Sequence, residues 1–191
     1  MKKILLLSAL LLLGLAACNN TSPDAGVVIN DVRWATHNVD APGTFTANPE
    51  DAGMFFQWNR RQGWNNAGEP TPANWNETPA EGTDWYAVND PCPTGWRVPT
   101  LEELQSLFDA ENVWTTQNGV NGRLFGTYPN RIFLPAVGRR HIDGTLYFVG
   151  LEGFYWSTST STASRLRFRV DYIGIRDLSP AYGFSVRCVE K

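Results

Sequence analysis

Apolar residues recur at helical spacing most clearly in the segment that follows Pro99. Four of them share one face of the predicted helix: Leu101, Leu104, Leu107 and Phe108. Thr100 precedes the run as an N-cap, and Glu103 three residues later completes a capping box. Residues 91–99 contain three prolines, which prevent the helix from beginning earlier. The pattern therefore predicts a helix that begins directly after Thr100 and packs its apolar face against the rest of the chain.

Alternating apolar and polar residues predict strands near the C-terminus. Residues 165–170 alternate strictly, so we expect one apolar face and one face that carries Arg165, Arg167 and Arg169. Residues 182–189 alternate as well, with Phe184, Val186 and Cys188 on one face. This spacing predicts that Cys188 points into the core.

Turn dipeptides separate the other strand candidates. Four are present: Asn30-Asp31, Asn118-Gly119, Asn121-Gly122 and Asp143-Gly144, of which the last is predicted to form a type I′ turn. Strands are predicted on either side of them, at residues 27–29, 32–36, 131–138, 140–142, 145–149 and 153–157. The assembled pattern predicts an α+β fold with a mostly antiparallel sheet, one clear helix and long loops.

Residues 59–90 form the longest irregular segment. They contain several glycines and prolines and show little periodicity, yet they carry Trp64, Trp75 and Trp85. A long irregular segment inside a compact domain is usually functional or packed on itself, and its aromatic content argues against disorder. The aromatic run at residues 53–58 precedes it, and its pattern leaves strand and helix open.

The N-terminus has the features of an export signal. Lys2 and Lys3 precede an apolar run at residues 4–15, which is too short to span a bilayer as a mature helix. The run ends in the sequence LAAC at residues 15–18, which resembles a bacterial lipobox. The resemblance implies cleavage after residue 17 and lipidation of Cys18; the alternative is an ordinary secretory signal with a chance cysteine. Asn19 follows the cysteine and favours the outer membrane over the inner membrane.

Cleavage changes the length and the charge. Removing residues 1–17 of the 191 leaves 174, enough for one domain with a core, at residues 27–191 after a lipidated tether at 18–26. The mature chain has 14 basic and 19 acidic side chains, a net charge of −5. This charge argues against a nucleic-acid partner, which would normally require a basic surface.

Two cysteines remain in an oxidising compartment, Cys92 and Cys188. A disulfide between them is favoured and would stabilise the fold by roughly 4–5 kcal/mol on the chain-entropy model. The alternative is a metal-binding or nucleophilic pair. It is less favoured because the chain has no CxxC spacing and only two histidines, His37 and His141.

Five sequence blocks together resemble a known family. They are WATHNV (34–39), CPTGWRVPTLEEL (92–104), LPAVGR (134–139), GFYWST (153–158) and GFSVRCV (183–189). Their order and spacing are similar to those of the Fibrobacter succinogenes major paralogous domain, found in secreted and lipid-anchored proteins of the Fibrobacteres–Bacteroidetes group. The helix block and the C-terminal block also resemble formylglycine-generating enzymes. These resemblances imply a C-type lectin-like fold, in which the termini lie together and a long-range disulfide such as Cys92–Cys188 fits.

Catalytic and metal motifs are sparse. Formylglycine-generating enzymes bind copper with a pair of C-terminal cysteines, whereas only Cys188 lies in that region here. The chain also has no G-x-S-x-G elbow, no H-E-x-x-H and no phosphate-binding glycine loop. Residues 69–71 (EPT) and 75–77 (WNE) only superficially resemble the calcium loop of animal lectins. We therefore predict neither an enzyme nor a metal or cofactor site.

Two surfaces are candidates for ligand binding. The first is the aromatic loop, where Trp64, Trp75 and Trp85 would form a platform for sugar rings or a peptide; the alternative is that they anchor the loop to the core. The second is the arginine face of residues 165–169, which would meet an anionic glycan or partner; the alternative is a solvated strand face. The sequence thus predicts a non-catalytic, lipid-anchored binding or adhesion module of the envelope. The alternative is a structural or assembly role, and an oxidoreductase of the formylglycine-generating type is the less favoured third reading.

Overall fold

The computed structural model describes residues 24–67, 72, 74–158 and 163–191. Their one α-helix is α1 (Leu101–Asp109), and a 3-10 turn covers Ala87–Asn89. The strands are β1 (Val27–Ile29), β2 (Val32–Trp34), β3 (Phe55–Gln57), β4 (Gly63–Trp64), β5 (Trp96–Arg97), β6 (Asn112–Gln117), β7 (Val120–Thr127), β8 (Asn130–Pro135), β9 (Arg139–Arg140), β10 (Leu146–Tyr147), β11 (Gly153–Trp156), β12 (Ser164–Arg169), β13 (Tyr172–Asp177), β14 (Gly183–Phe184) and β15 (Val189–Glu190).

The strands form four antiparallel sheets. Their orders are β1-β2-β15-β5, β10-β9-β14-β3-β4, β11-β12-β13 and β6-β7-β8. In the first sheet Trp34 pairs with Val189, so the beginning and the end of the described chain are neighbours. The predicted α+β fold, mostly antiparallel with one helix, is confirmed.

The helix begins where the sequence predicted. Thr100 has extended backbone dihedrals, and its hydroxyl accepts a hydrogen bond from the Glu103 amide, while the Glu103 carboxylate accepts one from the Thr100 amide. Both halves of the predicted capping box are therefore present. Leu104 and Leu107 are buried and pack in the same core cluster as Leu166 of β12.

Cys92 and Cys188 form a disulfide, as the sequence predicted, with their Cα atoms 6.1 Å apart. The bond joins the segment before β5 to the residue before β15, so it ties the entrance of the helix unit to the C-terminal strand. Cys188 is completely buried, which confirms its predicted inward orientation.

Arg187, beside the disulfide, is a fully buried arginine that holds three segments together. Its guanidinium donates to Asn38 Oδ1 at 3.1 Å, to the Ala35 carbonyl at 3.3 Å and to the Phe133 carbonyl at 3.0 Å. Burial lowers the pKa of Arg187, and these acceptors replace the water that the guanidinium loses on folding.

Two turn predictions are confirmed. Asn30 and Asp31 both have positive φ, as do Asn118 and Gly119, and each pair connects adjacent antiparallel strands. The aromatic run at residues 53–58, which the pattern left open, contains strand β3.

Of the other two turn predictions, one is wrong and one is wrong in the turn type. Asn121-Gly122 is not a turn but lies inside β7. The glycine is needed there for close packing against β8, because a Cβ at Gly122 would stand 2.5 Å from both the Phe133 ring and the Leu134 carbonyl oxygen. The turn at Asp143-Gly144 is present, but it is not type I′, because only Gly144 has a positive φ.

Residues 24–26, the end of the predicted tether, are held against the domain by hydrogen bonds of Asp24. The Asp24 carboxylate accepts hydrogen bonds from the Thr36 amide at 2.5 Å and from the Gly26 amide at 2.9 Å, and it contacts His37 Nδ1 at 3.2 Å. Burial alone would raise the pKa of Asp24, but these hydrogen bonds outweigh it and lower the pKa to about 2. The predicted lipidation site Cys18 and the signal segment lie outside the described residues.

Candidate functional site

The three tryptophans of the irregular segment do not form an exposed platform. Trp64 and Trp85 are only 6% and 7% exposed, and Trp75 is half-buried. The rings of Trp64 and Trp75 meet edge to face at a centroid distance of 4.8 Å, and Trp85 packs against Trp58 at 6.0 Å. These indoles anchor the segment to the core, the role that the sequence analysis weighed as the alternative.

Hydrogen bonds from the indoles fix the segment in place. Trp75 Nε1 donates to the Ile142 carbonyl at 2.6 Å, and Trp85 Nε1 donates to the Asn89 carbonyl at 3.0 Å. A buried arginine of β9 adds to this bracing, because Arg140 donates to the Asn65 carbonyl at 2.8 Å and to the Ala67 carbonyl at 2.6 Å. The irregular segment is therefore a packed excursion with a defined shape.

Asn59 organises the centre of the excursion. Its backbone has a φ of 53°, in the left-handed region that asparagine tolerates better than most residues. Its Oδ1 accepts from the Tyr86 amide at 2.9 Å and from Asn89 Nδ2 at 3.1 Å, while its Nδ2 donates to the Glu81 carbonyl at 3.2 Å. One side chain thus brings residues 81–89 against the end of β3.

Residues 59–89 form an open cleft with a volume of about 570 Å³. Its wall consists of side-chain amides, two arginines, one carboxylate and two aromatic rings: Asn59, Arg60, Arg61, Gln62, Trp64, Asn74, Asn76, Ala80, Glu81, Tyr86 and Asn89. The volume lies within the usual range for small-ligand sites. Every part of this wall comes from the segment that the sequence marked as irregular.

Several groups on the wall are available to a ligand. Within the described ranges, the side chains of Gln62 and Glu81 and the Tyr86 hydroxyl make no hydrogen bond to the protein, and Tyr86 is half exposed. Two further nitrogen atoms of the wall, Arg60 Nε and Trp64 Nε1, are buried and have no hydrogen-bond partner among the described residues. Gln62, Glu81 and Tyr86 thus offer donors, acceptors and an exposed aromatic ring to one volume.

The predicted arginine face is divided by the structure. Arg165 is buried, and Arg167 forms a bidentate ion pair with Glu152 at 2.7 and 2.8 Å. Arg169 is exposed at the other end of β12 and pairs with Asp171 at 2.7 Å. The three side chains therefore do not form one solvated face: Arg165 and Arg167 belong to an aromatic cluster, and Arg169 does not.

Gln62, Glu81 and Tyr86 were missed as site residues by the sequence analysis. Their only signal was the concentration of amide and aromatic side chains within residues 57–90, which carries no motif. Glu69, Pro70 and Thr71 of the lectin-like triad lie outside the described residues. In the described ranges no group of three histidine, cysteine or acidic side chains is placed to hold a metal ion. The same ranges contain no helix with the length and apolar character needed to cross a membrane.

Comparison of the chain with protein-family models, with curated proteins and with solved structures finds no match.

Proposed function

We propose that this protein is a non-catalytic binding module of the bacterial cell envelope that binds a glycan in the cleft of residues 59–89. The observation that carries the proposal is the cleft itself, an open volume of about 570 Å³ lined mainly by polar side chains, with Trp64 and Tyr86 among them. A sugar presents many hydroxyl groups and one or two apolar ring faces. Amide, carboxylate and guanidinium groups can hydrogen-bond the hydroxyls, and an aromatic ring can pack against the apolar face.

The envelope location rests on the N-terminal sequence. Residues 1–17 have the charged and apolar regions of an export signal, and Cys18 follows two alanines. In this proposal two or more acyl chains on Cys18 hold the domain stably at the outer membrane. The disulfide agrees with an oxidising compartment, because such bonds seldom persist in the cytosol.

The proposed fold is C-type lectin-like, and the proposed family is the Fibrobacter succinogenes major paralogous domain. Support comes from the pairing of β2 with β15 near the two termini and from the disulfide that links the helix unit to the last strand. The blocks that carry the resemblance lie at structural positions: Thr100 and Glu103 cap the helix, and Arg187 and Cys188 are buried.

A thermal-shift and calorimetric screen tests the function. The domain of residues 24–191, oxidised in a periplasm, is titrated with a panel of neutral oligosaccharides, with and without calcium. By ligand linkage, a sugar at about 100 times its Kd should stabilise the domain by about 2.7 kcal/mol and raise its melting midpoint.

Matched variants locate the site. Tyr86→Ala should weaken binding at least about tenfold because it removes the exposed ring of the cleft. Tyr128→Ala is the control, since Tyr128 is exposed and lies on the turn between β7 and β8. Buried Trp64 and Trp85 are poor probes, because truncating a buried tryptophan costs about 3–5 kcal/mol of stability. No shift with any sugar, in a sample that melts cooperatively, would reject glycan binding and favour a structural or assembly role.

A further inference from the structure

Three arginine side chains converge on one buried aromatic ring. The guanidinium carbons of Arg139, Arg165 and Arg167 lie 5.1, 5.9 and 5.8 Å from the centroid of the Phe154 ring. Arg139 comes from β9, whereas Arg165 and Arg167 come from alternate positions of β12, so two separate strands supply the charges. Like charges repel, and their convergence therefore needs a reason.

The carboxylates of the neighbourhood do not balance these charges. Glu152 is engaged by Arg167 in the bidentate ion pair, which leaves Arg139 and Arg165 without a carboxylate within ion-pair distance in the described residues. Arg165 donates to the Arg176 carbonyl at 2.7 Å, but its Nε is buried and lacks a partner among the same residues. The Arg139 side chain makes no hydrogen bond to them, and its Nε is buried as well.

The surplus charge is energetically unfavourable. Burial, together with the neighbouring charges of Arg139 and Arg167, lowers the pKa of Arg165 to about 10. The aromatic rings offset part of the cost, because Arg139 also lies 5.3 Å from the Phe148 ring centroid. Rings do not, however, satisfy the N–H groups of a guanidinium, which need oxygen acceptors.

We propose that Arg139, Arg165 and Arg167 form an anion-binding site that takes an oxyanion group of a ligand, namely a carboxylate, sulfate or phosphate. The planar guanidinium fork matches the geometry of such groups and can donate two parallel hydrogen bonds to one of them. The site is reachable, since the side chain of Arg167 is 33% exposed and the Phe148 ring at its rim is 39% exposed. Phe148 has a φ of 63°, an uncommon backbone conformation for a bulky residue, and such positions cluster at ligand sites.

This site shares no residue with the cleft of residues 59–89, so each of the two proposals can be tested independently of the other. The test is isothermal titration of residues 24–191 with three anionic probes: an oligogalacturonate, a heparin-derived tetrasaccharide and inorganic pyrophosphate. They represent the carboxylate, sulfate and phosphate chemistries, and a neutral oligosaccharide of the same length as the oligogalacturonate serves as the reference. We expect saturable binding of at least one anion and none of the neutral reference at this site.

Charge-matched variants separate a built site from general attraction. Arg139→Gln should weaken anion binding at least about tenfold, because it removes a bidentate donor. Arg169→Gln removes the same charge from the same face of β12 but at an exposed position already paired with Asp171, and it should change the affinity less than about twofold. Arg139→Lys keeps the charge but loses the fork, so it should bind weakly as well.

Three results would overturn the proposal. The first is failure of all three anions to bind in the millimolar range. The second is an equal loss of affinity for Arg139→Gln and Arg169→Gln, which would indicate non-specific attraction. The third is full affinity in Arg139→Gln, which would mean that the arginines serve only to pack on the aromatic rings. The melting midpoint of each variant without ligand confirms that it is folded.

Discussion

The disulfide gives the sharpest stability prediction. Cys92 and Cys188 are separated by 96 residues along the chain, so the bond closes a long loop in the unfolded state. On the chain-entropy model a loop of this length is worth about 4–5 kcal/mol at 25 °C. Replacing both cysteines with alanine should therefore lower the free energy of unfolding by about 4–5 kcal/mol. This is a large part of the roughly 5–15 kcal/mol by which a typical domain is stable.

Urea denaturation of the oxidised domain and of Cys92→Ala/Cys188→Ala measures this loss. With a slope of about 2 kcal/mol per molar urea, the unfolding midpoint should fall by about 2 M. The melting temperature should fall by roughly 10–15 °C, at about 2–4 °C per kcal/mol for a domain of this size. The slope should rise somewhat, because the unfolded chain without the cross-link is less compact and exposes more surface.

The single variants are internal controls. Cys92→Ala and Cys188→Ala each break the same bond, so each should lose nearly as much as the double variant, with strong non-additivity. A loss below about 1 kcal/mol in the double variant would refute the loop-entropy reasoning. Additive losses in the two single variants would instead mean that each side chain acts through its own packing.

Two further variants test local claims. Asp24→Asn should lower the free energy of unfolding by about 1–2 kcal/mol at pH 7, because folding lowers the pKa of Asp24 to about 2. The stabilisation by the ionised carboxylate is present above about pH 4 and is lost as the pH falls through about 2. The urea midpoints of variant and wild type should therefore converge near pH 2. Gly122→Ala should cost about 2–4 kcal/mol by thermal melting, because its Cβ would stand 2.5 Å from the Leu134 carbonyl oxygen.

Each has its own control. For Asp24, a difference from wild type that persists undiminished at pH 2 would show that the carboxylate charge is not what matters. For Gly122, the comparison is Gly119→Ala, at a turn position with a φ of 82° where nothing lies within 4 Å of the added Cβ. Gly119→Ala should lower the stability only by the strain of an alanine in the left-handed backbone region, about 1–2 kcal/mol. An equal loss of stability at both positions would contradict the explanation that the Gly122 Cβ meets β8.

Features set by neighbouring residues were predictable from the sequence. The capping box depends on Thr100 and Glu103, three residues apart, and the structure has both of its hydrogen bonds. The Asn118-Gly119 turn depends on two adjacent residues that tolerate positive φ, and it is present. The disulfide followed from counting cysteines in a chain with a predicted export signal.

Features set by distant contacts were not predictable in the same way. Asn121-Gly122 has the composition of a turn, yet Gly122 is needed because β8 passes close to it, and no local pattern reports that approach. Arg165 alternates like a surface residue but is buried, because aromatic rings from other strands cover its face.

The candidate site was predictable only as a region. Residues 59–90 stood out by their irregularity and their tryptophans, but Trp64 is the one wall residue that the sequence favoured. Gln62, Glu81 and Tyr86 meet because the Asn59 side chain draws distant parts of the segment together. A single asparagine with three non-local hydrogen bonds has no signature in one sequence.

The most direct test of glycan binding in the cleft is a chemical-shift titration of the isotopically labelled domain with the best sugar from the screen. Trp64 belongs to the cleft wall, and its indole N–H is buried without a partner in the described part of the chain, so the N–H signal reports on changes in that wall. We predict saturable shifts confined to residues 59–89 and the Trp64 indole, with one common Kd. Shifts that are absent, or that map only outside these residues, would contradict the proposed function.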